Sequence, residues 1–166
     1  MRRLKLALVS HLESTHVARV VYGAIIGLAL VVALQAHPPG AGTVVGLIVG
    51  TSIAVGLAEL YSEVLGTETR TRRRPRREEI APLLDDSFAV AFGTGFPAVF
   101  FVLAVANVID DDTAFNVAKW SGLGLIAFYG YCAGRLAGAG TRGALVQAFA
   151  VALIGGALIA VKAVLH

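Results

Sequence analysis

Polar and apolar residues alternate along this chain in long blocks rather than in short amphipathic periods. Five apolar stretches, 17–36, 44–65, 88–109, 120–137 and 144–165, are separated by short polar segments. Each approaches the ~20 residues that a helix rising 1.5 Å per residue needs to cross ~30 Å of hydrocarbon. The pattern predicts an all-α, polytopic integral membrane protein with five transmembrane helices forming one domain over residues 1–166. Residues 1–16 read as a cytoplasmic lead-in helix, with Ser10 and Glu13 spaced as a capping box. Residues 67–86 read as a basic loop broken by Pro75. Asp85 and Asp86 are expected to cap the third span, and Gly93, Gly95 and Pro97 to bend it. The pattern offers no convincing internal repeat and no second domain.

Charge then orients the spans. With alternating sides, Arg2, Arg3, Lys5, Arg19, Arg70, Arg72, Arg73, Arg74, Arg76, Arg77, Arg135 and Arg142 share the side of the N-terminus, and only Lys119 and Lys162 lie opposite. Short loops rich in Lys and Arg remain cytoplasmic, so the N-terminus is expected inside and the C-terminus outside, in a plasma (inner) membrane. Composition agrees: 57% hydrophobic residues and a mean hydropathy of +0.76 are too apolar for an ordinary soluble domain. The arginines lack the interleaved aromatics of a single-strand nucleic-acid platform, and anionic lipid headgroups are their expected partners. Cys132 is the lone cysteine and Met1 the lone methionine, which excludes an intrachain disulfide or a soft-metal cage within one chain.

Small residues recur at helical spacing: Gly23 and Gly27; Gly46, Gly50, Ala54 and Ala58; Gly130, Gly134 and Gly138. Such stripes let helix backbones approach closely in lipid. Asn107 is expected to bond to a neighbouring helix.

Candidate chemistry rests on ionisable residues inside spans, each costing roughly 2.5–3.5 kcal/mol at mid-bilayer. Glu59 and Glu63 are four apart and share a helix face. Two close carboxylates in low dielectric call for a cation or a proton, so they form the leading candidate site for a divalent metal such as Fe²⁺, Mn²⁺ or Zn²⁺. The alternative is that Arg19 neutralises Glu63 structurally. Glu13 and His16, with His11 nearby, add oxygen and nitrogen ligands just before the first span. No GxSxG, HExxH or phosphate-cradling loop is present, and an enzyme is not expected.

The segments VARVVYGAIIGLALVVAL, GLAELYSEVLG and YGYCAGRLAGAGTRGALVQAFAVALIGGALIAV resemble the vacuolar iron transporter family. The likeness runs through Arg19, Tyr22, Gly23, Gly27 and Leu28, then Gly134, Arg135, Arg142, Gly155 and Gly156. It implies five spans, an inside N-terminus, and a homodimer exchanging Fe²⁺ or Mn²⁺ for protons along its first two helices. The chain departs from the family where an intramembrane aspartate is replaced by Ile25 or Ile26. The soluble glutamate-rich module is also replaced by the arginine-rich loop. Three functional readings follow: proton-coupled binding and transport of a divalent cation through glutamates at a dimer interface; a non-transporting structural, lipid- or partner-binding protein of the same fold; or a small ion channel.

Overall fold

The computed structural model describes residues 14–165, and every regular element among them is helical. Residues 1–13 of the predicted lead-in helix, with His11 and Glu13, lie outside the described residues, as does His166, and its last residues, 14–16, open the first described helix. The helices are α1 (Ser14–Leu34), α2 (Ala41–Thr71), α3 (Arg77–Gly95), α4 (Ala98–Val105), α5 (Asp111–Leu136) and α6 (Thr141–Leu165). Helices α1 and α2 are long and apolar enough to cross a membrane, and α3 with α4 makes a third such element if the bent pair is one span. Helix α5 carries Lys119 and Arg135 among glycines and tyrosines, which lowers its apolarity.

Proline and glycine set the breaks. Pro97 has no N–H to continue the ladder, and α4 leaves α3 at 49°. The bend expected at this position is therefore present. Gly138 adopts φ +82° between α5 and α6, and Arg72 closes α2 in the left-handed region at φ 53°.

The polar segments differ from the sequence reading in three places. The basic loop is shorter than 67–86, because α2 runs on to Thr71 and α3 already starts at Arg77. Helix α3 starts there because Glu79 accepts from the Arg76 backbone N–H (2.7 Å), and Glu78 and Glu79 occupy its positive first turn. Pro82 falls early inside α3. Asp85 and Asp86 are consequently mid-helix and cap nothing. Asn107 turns the chain at φ 57°, with Nδ2 3.5 Å from the Val105 carbonyl, and reaches no neighbouring helix.

Helix α1 sits centrally against α3, α5 and α6, whereas α2 packs mainly on α3 and α4. About 44% of the most apolar stretch of α1 is buried, against 17% for α2. One apolar cluster joins Val44 and Ile48 of α2 to Phe101 of α4 and Phe115 of α5, the two rings meeting edge to face at 4.7 Å. A second joins Ala24, Leu28 and Val32 of α1 to Ile126 of α5.

The packing contains a repeat that the residue pattern concealed. Helices α2 and α5 begin at Ala41 and Asp111, and α1 and α3 bury residues in the same succession at this same spacing. Val17, Val20, Gly23, Ala24, Gly27 and Leu28 are matched by Ser87, Val90, Gly93, Thr94, Pro97 and Ala98. The contact between the two helices is reciprocal. A Cβ on Gly23 would strike the Val90 carbonyl, and one on Gly93 would strike the Val20 carbonyl. Thr94 Oγ1 seals this crossing by donating to the carbonyls of Gly23 (3.1 Å) and Val90 (3.0 Å). Few of the matched positions hold the same residue type, so only the packing reveals the relation. Helix α6 has no counterpart among the described residues of the first half.

Candidate functional site

The charged residues of α1, α2 and α3 gather at the end of the bundle where α1 and α3 begin and α2 finishes. Glu59 and Glu63 occupy successive turns of α2 and face α1, as their spacing requires. Arg19 answers both: Nη1 pairs with Glu59 Oε1, and Nη2 donates to Glu63 Oε1. The three side chains are 28%, 13% and 26% exposed, so the cluster is largely but not wholly withdrawn from solvent. Two carboxylates and one guanidinium leave one surplus negative charge. The sequence reading paired Arg19 with Glu63 alone; the fold gives it Glu59 as well, because the fork of a guanidinium spans two turns of the facing helix.

His16 lies one turn before Arg19 but belongs to a separate pair, with Nδ1 3.2 Å from Asp86 Oδ1 on α3. This pair ties the start of α1 to α3. The structure therefore places Glu59 and Glu63 together, and His16 with a different acid. Glu13 is not among the described residues. No group of three His, Cys, Asp or Glu side chains arranged to hold a metal occurs among the described residues.

Beyond the apolar stretches, Arg73 grips Glu79 at the start of α3 through two hydrogen bonds (2.8 and 2.6 Å) across the α2–α3 turn. That bond first, and the Arg76 N–H second, draw the Glu79 carboxyl from its ordinary 4.5 to about 2. Arg70, Arg72, Arg74, Arg76 and Arg77 surround this turn as exposed cations. At the opposite end Lys119 Nζ lies 3.4 Å from Gln35 Oε1, and Asp110 caps α5 by accepting from the Thr113 N–H (2.8 Å).

Sequence reasoning placed Ser52 on the stripe of Glu59 and Glu63 but gave it no partner, and passed over Thr94. Ser52 Oγ donates to the Ala91 carbonyl (2.7 Å), which pins α2 to α3. Their only sequence signal is that they are hydroxyls within apolar runs. No family model, curated protein or solved structure matches this chain.

Proposed function

We propose that this chain is a five-span protein of the plasma (inner) membrane, N-terminus inside, that serves as a structural and lipid- or partner-binding element rather than an ion carrier. The observation that carries the reading is the Arg19 bridge to both Glu59 and Glu63. Arg19 stands roughly 24 Å along α1 from the Gln35–Lys119 level. A hydrocarbon layer of ~30 Å measured from that level puts the cluster in its last turn or so, where side chains reach the headgroups. A charge held there needs a partner, and Arg19 supplies one without any ion. The exposed arginines of the α2–α3 turn then meet anionic headgroups, each worth ~1 kcal/mol near the surface.

The test is vesicle composition. Protein reconstituted in phosphatidylglycerol-containing bilayers should melt higher than in phosphatidylcholine alone. Replacing Arg72, Arg74 and Arg76 with Gln should abolish the difference, and an undiminished difference would refute the lipid role.

The surplus negative charge of the cluster favours one competing reading. Glu59 and Glu63, from one chain or from two in a homodimer, would bind Fe²⁺ or Mn²⁺ as cargo, with Arg19 swinging away and protons returning in exchange. Mn²⁺ would then raise the melting temperature of the purified protein, and Glu59→Gln with Glu63→Gln would remove the effect. Under the structural reading Mn²⁺ leaves the melting temperature unchanged.

A further inference from the structure

The internal repeat gives α6 a counterpart position that no described helix fills. Helix α6 lies in the furrow between α5 and α1. Its Ala148 and Val151 rest on Gly130, and its Gly155 touches Leu123, Ile126 and Leu28. Shifted by the repeat, Leu123, Ile126 and Gly130 become Ile53, Gly56 and Leu60 of α2. These residues line an open furrow of about 200 Å³ between α2 and α3, with Leu57, Phe88 and Ala91 among its other wall residues. The same construction that seats a helix in the second half is therefore open to the outside in the first.

The geometry points to the occupant: α2 of a second copy of this chain, entering the furrow about a two-fold axis so that each copy fills the other. Three observations favour a second copy over an unrelated helix. The outward face of α2 is apolar from Leu47 through Ile53 and Leu57 to Tyr61, as is the furrow, so the surface suits its own image. Only 17% of the most apolar stretch of α2 is buried within its own chain. Charge also complements across the axis. Gly56 meets Ser87 and Ala91, at the level of Ala89. Twelve residues beyond Gly56 on α2 is Glu68, and twelve before Ala89 on the oppositely running α3 is Arg77. Glu68 shares the helical face of Leu57, and Arg77 that of Phe88. Neither side chain forms an ion pair or hydrogen bond with another described residue. A two-fold pairing brings Glu68 of each copy to Arg77 of the other. This seat, on α2 and α3, differs from the one between the first two helices that the family resemblance implies.

The inference rests on the membrane-spanning reading, and the experiment separates the two. In a Cys132→Ala background, Leu57→Cys is expressed, carbonate-washed membranes are collected, and copper phenanthroline is added. Absence from washed membranes would refute the spanning reading itself. Retention with a disulfide-linked dimer through Leu57→Cys, and none through the equally exposed Phe149→Cys on α6, is the expected result. Gly50→Leu should abolish the dimer while leaving monomer melting unchanged, since a Cβ at Gly50 meets nothing within 4 Å in its own chain. Glu68→Arg should weaken cross-linking, and adding Arg77→Glu should restore it. Retention without a Leu57 dimer, equal linking through Phe149→Cys, or no rescue by the charge exchange would overturn the proposal.

Discussion

Replacing Arg19 with Ala removes the one cation among the described residues that pairs with Glu59 and Glu63, and the consequence can be worked from the cluster. Glu59 and Glu63 stand on successive turns, about 6 Å apart, where at an effective dielectric of ~20 their repulsion is ~3 kcal/mol. Water reaching Glu63, whose side chain is 26% exposed, screens part of this, leaving about 2 kcal/mol. Desolvation adds to the cost, because Glu59 is only 13% exposed and would keep a charge with no partner. A loss near 2–3 kcal/mol corresponds to a melting temperature lower by about 4–12 °C for a chain of this size. Thermal unfolding of the detergent-purified protein, followed by circular dichroism at neutral pH, measures it. The triple replacement Arg19→Gln, Glu59→Gln, Glu63→Gln removes all three charges and should recover most of the loss. An Arg19→Ala protein melting within a degree of the parent, or a triple variant no better than the single, would refute the idea that this bridge neutralises the glutamates.

Other outcomes follow from the packing and the charged turn. Gly23→Ala should cost about 1–3 kcal/mol, because its new Cβ meets the Val90 carbonyl, whereas Gly46→Ala meets nothing and should stay within about 0.5 kcal/mol; paired thermal melts decide. Gly134→Val should loosen α6 from α5, since even a single Cβ at Gly134 would lie 2.7 Å from Ala144 Cα, and faster proteolysis at residues 138–140 would report it. The Glu79 carboxyl, ordinarily at 4.5 and held at about 2, contributes stability above pH 4.5 that fades as pH falls toward 2. Glu79→Gln should abolish that acid-side dependence of the α2–α3 turn, read by amide exchange. Mn²⁺ should leave the melting temperature unchanged, and a rise of several degrees that Glu59→Gln removes would favour cation binding instead.

The residue pattern determined the helical class, the approximate positions of the apolar elements, the bend at Pro97 and the face shared by Glu59 and Glu63. These follow from local rules: run length, the missing N–H of proline, and the 3.6-residue turn. It misplaced what depends on competition between neighbours. Residues 67–86 read as a loop, yet α2 runs on to Thr71 and the cap at Arg76 starts α3 at once, leaving only 72–76 outside helix, so Asp85 and Asp86 lost their capping role. Only tertiary packing decided that Arg19 reaches both glutamates, and that His16 turns to Asp86 rather than toward them. It also decided that Gly23 and Gly27 touch α3 while Gly46 and Gly50 touch nothing. Glycine spacing alone could not rank those stripes, because a small side chain permits close approach without specifying a partner. The internal repeat was hidden for the same reason. Different residue types can fill equivalent places in a packed bundle, and burial keeps the period that residue identity has lost.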